Sequence, residues 1–271
     1  MPGNATMDDG PNSFQMPVLF VGHGSPMNAI EDNSWSRGFR ALGEGVPLPR
    51  AILAVSAHWY VDGTFLTAST RPETIHDFGG FPEPLYKILY PAPGDPALAR
   101  RATALLGLPD EVMSSEWGID HGTWSVLLHM FPKADIPVVQ LSIDAGLPPR
   151  EHLAMGRALG PLRYEGVLIM ASGNIVHNLR DAFGQMRRGT ATTPRWATGF
   201  DADVARALED HDTAFLSRAL KTEEGQHSHP TPDHYLPLLY AVGAAEGTGT
   251  ISFPIVGFDV GSLSMRAVIF G

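Results

Sequence analysis

Pro17-Val18-Leu19-Phe20-Val21-Gly22-His23-Gly24-Ser25-Pro26 is the stretch whose reading decides the fold. From Pro17 to Val21 the side chains are apolar at every position, so both faces of a strand formed there would be buried, as in a parallel or mixed sheet covered by helices. The run then breaks into two glycines around a histidine, where the backbone can turn sharply and present an imidazole. Ala51–Ser56, Pro137–Leu141 and Gly166–Ala171 have the same character, and Ile251–Val256 and Arg266–Phe270 complete the expected strands. Helices announce themselves by their starts. Asp95-Pro96 is a cap followed by proline at the first helical position, leading into Ala97–Leu106 and stopped by Gly107. Pro149–Leu159 and Ala197–Leu208 follow, and Thr231-Pro232 introduces Asp233–Leu239, which Pro237 should kink. Gln185–Arg195 and Lys221–Pro230 read as surface loops, and the Gly247–Gly249 region as a turn. The alternation predicts an α/β fold: a single domain over 16–271, with a central mostly parallel or mixed sheet, helices on both faces, and a site at the strand ends. Residues 1–15, polar and glycine-rich with no apolar core of a signal peptide, are expected to form a flexible tail.

Composition narrows the partners. Of 271 residues, 44% are hydrophobic and 18% charged, the profile of a soluble globular chain. Nineteen Lys+Arg against 29 Asp+Glu gives a net charge of −10, and only Lys87, Lys133 and Lys221 are lysines, so no nucleic acid is expected as a partner. No apolar window approaches the ~18 residues of a membrane span. The expectation is a cytoplasmic protein with no membrane partner, a monomer or small homo-oligomer. Cysteine is absent while histidine occurs 11 times. Any transition metal must therefore be held by imidazole and carboxylate.

Three strands deliver histidines to one rim: His23 after the first, His58 in Ser56-Ala57-His58-Trp59, and His177 beyond Ser172-Gly173-Asn174. If Asn174 and Thr231 cap helices, His177 and His234 both sit at the third helical position, where the helix dipole keeps imidazole neutral. Neutral imidazole is the form that ligates a metal. Taken singly, each of these histidines reads more readily as a hydrogen-bonded core or loop residue; four at strand ends and helix starts in a cysteine-free chain reverse that reading. His121, beside Asp120 and glycines, suits proton transfer or substrate binding. His76 lies in His76-Asp77-Phe78-Gly79-Gly80-Phe81-Pro82, a segment able to cover a flat substrate or simply to pack as a loop. His129, His152 and His211 read as helix or helix-end residues, and His227 as a solvated loop residue. His229, ahead of Pro230-Thr231-Pro232, is left open beside the substrate candidates. Dinucleotide, P-loop, nucleophile-elbow and zinc-helix motifs are all missing. Ser25 as a nucleophile has no sequence signal for an oxyanion hole beside it.

Gly22-His23-Gly24-Ser25-Pro26-Met27-Asn28, Ser56-Ala57-His58-Trp59, the His76–Pro82 segment, Asp120-His121-Gly122, Ser172-Gly173-Asn174-Ile175-Val176-His177-Asn178 and Pro232-Asp233-His234-Tyr235-Leu236-Pro237-Leu238 together resemble the class III extradiol ring-cleavage dioxygenases, the LigB-like family, in the branch called 4,5-DOPA dioxygenase extradiol. The resemblance runs in order from about Met16 to the C-terminal end of the sequence. It implies a single α/β domain that opens a catechol, DOPA-like in that branch, next to its two hydroxyls with O₂, giving a ring-opened semialdehyde. Fe(II) is then expected for turnover, and Zn(II) as a metal the site also accepts. By motif, His23 and His58 match metal ligands, His234 stands where many members of the wider class carry glutamate, and His177 matches either an acid–base group or a fourth ligand. His121 joins His177 as a catalytic candidate, with Ser25, His76, Asp120 and His229 as candidates for substrate binding.

Replacing the carboxylate of the two-histidine, one-carboxylate triad with His234 leaves a divalent ion among neutral imidazoles at a charge of +2, which favours a deprotonated ortho-diol. The same nitrogen set suits zinc, so two other functions stay open from the sequence. One is a zinc-dependent hydrolase, the other a metal- or small-molecule-binding protein without turnover.

Overall fold

The apolar runs are strands, and four of them lie side by side in parallel. In chain order the strands are Val18–Gly22 (β1), Ala51–Val61 (β2), Leu66–Thr67 (β3), Met113–Ser114 (β4), Val138–Asp144 (β5), Val167–Gly173 (β6), Ile251–Ile255 (β7), Phe258–Asp259 (β8), Leu263–Ser264 (β9) and Ala267–Phe270 (β10). The computed structural model describes residues 15–190 and 192–271. Residues 1–14 of the expected tail lie outside the described residues.

Eight strands form one sheet in the order β4-β3-β5-β2-β6-β1-β10-β7. Its centre, β5-β2-β6-β1, is parallel, whereas β10 runs antiparallel to β1, and β7 to β10. The sheet is therefore mixed. Alternate side chains of the central strands feed two cores. Val18, Phe20, Leu53, Val55 and Ile169 face one, Leu19, Val21, Ile52, Ala54 and Leu168 the other, all buried. Burying both faces at roughly 25 cal/mol per Å² of apolar surface makes this centre the most strongly held part of the fold.

The helices are Ser34–Gly45 (α1), Glu83–Tyr86 (α2), Pro96–Leu105 (α3), His121–Met130 (α4), Pro149–Leu159 (α5), Leu179–Arg188 (α6), Arg195–Glu209 (α7), Thr213–Leu216 (α8), Glu223–Ser228 (α9) and Leu236–Ala244 (α10). Helices α3, α5, α7 and α10 cover one face of the sheet, α1 and α4 the other. Asp95 caps α3 through Leu98 N–H at 2.9 Å, as its sequence requires.

Four expectations need correction. Gln185–Arg188 is helical, the end of α6, and that helix stops at Gly189 in the left-handed conformation. Within Lys221–Pro230, Thr222 accepts Gly225 N–H and starts α9. The third correction is that the helix expected at Asp233 begins at Leu236, so Pro237 falls in its first turn, where no donor is needed, and kinks nothing. His234 therefore lies in a turn before α10. Finally, Asn178, not Asn174, caps α6, so His177 precedes that helix and pairs with Leu263 in an isolated bridge.

Candidate active site

Register places the histidines. Gly22 is level with Gly173, and Ser56 with Ser172, so β1 and β6 end at one rim beside Ser56, and β2 runs on past it to Val61. Gly24, at a φ of 64°, turns the chain away immediately after His23. Between Val55 and Tyr60 strand β2 leaves its register with β5, and this irregularity carries His58 to the rim. Asp120 caps α4 by accepting Thr123 N–H at 3.2 Å, setting His121 as the first helical residue. A Cβ on Gly122 would come within 2.8 Å of His58 Cδ2, so glycine is what lets α4 approach. Asn174 N–H donates to His234 O at 2.9 Å, tying the 231–235 turn to the end of β6.

Five imidazoles line one cavity of about 410 Å³: His23, His58, His121, His177 and His234. Ligating nitrogens of His23, His58 and His121 all lie within 4.8 Å of one another. The ring of His234 is centred 5.3 Å from that of His23 and 5.1 Å from that of His58. His177 stacks on His234 with centroids 3.4 Å apart and planes within 4°. Lone pairs lie in the ring plane, and two parallel planes do not meet. In this arrangement one of that pair can aim well at a given ion, not both.

Hydrogen bonds fix the tautomers. The Ser172 hydroxyl donates to Gly122 O, so its oxygen accepts from His23 Nδ1–H at 2.9 Å, leaving the lone pair on Nε2. One oxygen of Asp77 lies 3.0 Å from both His58 Nδ1 and His121 Nδ1, while its other oxygen accepts His121 N–H. Asp233 accepts from His234 Nδ1–H. Imidazole backed by a carboxylate or hydroxyl is the arrangement that orients metal ligands. None of Ser172, Asp77 or Asp233 was singled out in the sequence. The signal for Asp233 was adjacency, since it precedes His234.

Electrostatics follow from burial. Desolvation, reinforced by the neighbouring imidazoles, holds His23 and His177 neutral, well below the usual histidine range. Burial pushes His234 down to about 4, and Asp233 only partly opposes it. The neutrality expected from a helix dipole at His177 and His234 thus has another cause. His58 is the exception: burial pulls it down, but Asp77, Asp120 and Asp233 more than offset this and raise it. Burial alone would raise Asp77, but His121 and His58 hold it below the usual carboxylate range. The charge of +2 read from the sequence counted imidazoles only. Asp77 and Asp233, both held ionised, sit directly behind them and cancel most of it.

The donor set fits a metal. His23 Nε2 and His58 Nε2 are 3.1 Å apart. Two lone pairs at that distance repel unless a cation lies between them. A shared proton can serve, and so can an ion about 2.1 Å from each nitrogen.

A family model described as the catalytic LigB subunit of aromatic ring-opening dioxygenase matches residues 17–260. The chain belongs to this family. It is an oxidoreductase of the ring-opening dioxygenase class, and the extradiol name recurs among its relatives. Over 267 residues this LigB chain is 49% identical to the 4,5-DOPA dioxygenase extradiol of Escherichia coli K12, covering 96% of each. To the Beta vulgaris protein of that name it is 39% identical over 235 residues, 84% of this chain and 86% of the other. A solved structure of an uncharacterized protein from Escherichia coli K12 matches with a TM-score of 0.81 at 45% identity, over 95% of this chain and 100% of that one.

Other sequence candidates of the LigB chain lie as follows. Ser25 lines the cavity, its hydroxyl accepting Met27 N–H. His76 does not line it; its Nε2 donates to Ile88 O, and its ring packs edge-on to Phe78. Asp120 is buried behind the rim, bonded by Gln140. His229 is buried away from the cavity, donating to Ile175 O at 2.7 Å. Among the described residues, no helix is long and apolar enough to cross a membrane.

Proposed function

We propose that this chain opens the ring of a catechol beside its two hydroxyls, using O₂ and releasing a ring-opened semialdehyde. The observation that carries this reading is the convergence of five imidazoles on one cavity at the strand ends of a LigB-family chain. Family membership also sets the zinc-hydrolase and binding-only readings aside. DOPA, named for the relatives, is the first catechol to try.

His23, His58 and His234 would hold the metal, Fe(II) for turnover, with Zn(II) able to occupy the same nitrogens. When bound, Fe(II) would supply the electron path between catechol and O₂ that no side chain offers. The protein's own part is orientation and proton traffic. Ser172 and Asp77 keep the protons of His23 and His58 on Nδ1, so Nε2 faces the cavity. His177, neutral through burial, takes a proton from a catechol hydroxyl and returns it as the ring opens. Its stacking on His234 suits a proton carrier better than a fourth ligand. His121, its Nδ1 3.0 Å from an Asp77 oxygen, presents its other nitrogen to the substrate. Phe78, centred 5.3 Å from the His121 ring, and Phe81 help keep water from that side.

A second arrangement has a specific observation in its favour. The tightest nitrogen cluster contains His121, so His121 would replace His234 as third ligand.

The test is oxygen uptake by protein reconstituted anaerobically with Fe(II) and offered a panel of catechols including DOPA. Uptake matched by a yellow ring-opened product is the expected result. Hydrolytic activity of the zinc form without oxygen uptake would refute the proposal.

A further inference from the structure

A cavity of about 150 Å³ holds a benzene ring, so the 410 Å³ here leaves room for a substituent beside the catechol. The cavity has two unlike kinds of lining. One is the imidazole cluster. The other is apolar: Phe78, Phe81, Leu179, Phe183, Met186 and Leu263. Among the described residues, no lysine or arginine lines the cavity, and its one carboxylate, Asp77, is engaged by His58 and His121. A substrate carboxylate entering here meets no cation, and an ammonium meets no free anion. Stripping water from such groups without a counter-charge costs binding.

Helix α6 sorts its residues by face. Leu179, Phe183 and Met186, at i, i+4 and i+7, turn toward the cavity and remain 42%, 51% and 57% exposed. Arg180, Arg187 and Arg188 line a separate groove with Gln226 and His227. Cations are available on this helix, then, but on its other side. Three large apolar side chains left half in water on one helix face form a surface that an apolar group would cover.

We propose that the arm on the catechol ring is uncharged and apolar, an alkyl or aryl group lying along Leu179, Phe183 and Met186, and that the zwitterionic arm of an amino acid is disfavoured. The proposal rests on the catechol reading above and specifies the part of the substrate that reading leaves open. It also separates this chain's preference from the name its relatives carry.

Zinc-loaded protein, which binds without turning over, allows the arm to be tested by calorimetry. L-DOPA and 4-propylcatechol carry three-carbon arms at the same ring position and differ in the charges on the arm; 4-methylcatechol reports the ring alone. The expected result is that 4-propylcatechol binds at least about tenfold tighter than L-DOPA, and that Phe183→Arg, at an exposed position, narrows or reverses the difference. If L-DOPA binds as tightly or tighter while 4-methylcatechol also binds, the arm assignment is overturned and the catechol reading stands. Discrimination unchanged in Phe183→Arg overturns the placement along α6. Failure of all three to bind overturns both readings.

Discussion

The two walls of the cavity are built on opposite terms. The rim formed by β1, β2 and β6 presents buried imidazoles, and His23, His58, His121 and His234 each have their far nitrogen within reach of a hydroxyl or carboxylate. The wall formed by α6 presents Leu179, Phe183 and Met186, half in water, with no polar anchoring at all. Buried polar groups tolerate little misplacement, because each lost partner leaves a desolvated atom behind. Exposed apolar groups can shift a rotamer at small cost. The difference assigns preorganised chemistry to the sheet and adaptable recognition to the helix.

That division is broken most severely from the rim. His234→Ala is expected to lose its metal, whereas His121→Ala keeps it; metal analysis of the purified variants after loading decides, and the reverse pattern would install His121 as the third ligand. Next in size is His177→Ala, expected to retain metal but to lose roughly 10²–10⁴-fold in ring-cleavage rate, the usual scale for an acid–base group. Single-turnover rates and metal content measured on one preparation separate this from ligand loss, which would lower both together. The smallest effect belongs to α6. Phe183→Ala should leave metal content and Tm unchanged and raise KM for an apolar-armed catechol about three- to tenfold, since the side chain contributes contact and not chemistry. A fall in kcat as large as that of His177→Ala would erase the distinction between the walls.

Legibility in the sequence follows the same boundary. Strands buried on both faces write themselves as uninterrupted apolar runs, so Pro17–Val21 and Gly166–Ala171 predicted β1 and β6 within a residue or two. His23 was legible because it follows such a run directly; His58 was legible by its place just after the apolar run Ala51–Val55, although its strand continues to Val61. The local backbone around His177 and His234 was not. Pro237 fits the first turn of a helix as well as a kinked interior, and the Asn174 and Asn178 caps cannot be told apart without the contact that Leu263 makes with His177. Asp77 and Ser172 were missed for another reason. They act on histidines 19 and 149 positions away, and no local pattern encodes a partner brought by topology. Helix α6 was half hidden as well. Arg187, Arg188 and Gly189 read as loop, whereas they are its last turn and its left-handed stop.

Oxygen insertion into a catechol ring at the histidine centre is the step on which the proposed function stands. Mass spectrometry of the product formed under oxygen-18 gas by iron-reconstituted protein, with 4-methylcatechol as substrate, tests it most directly. The expected product is a ring-opened semialdehyde whose new carboxylate carries oxygen-18, with none formed by His23→Ala/His58→Ala. A ring-opened product with oxygen from water alone, or labelled product at full rate from the double variant, would contradict it.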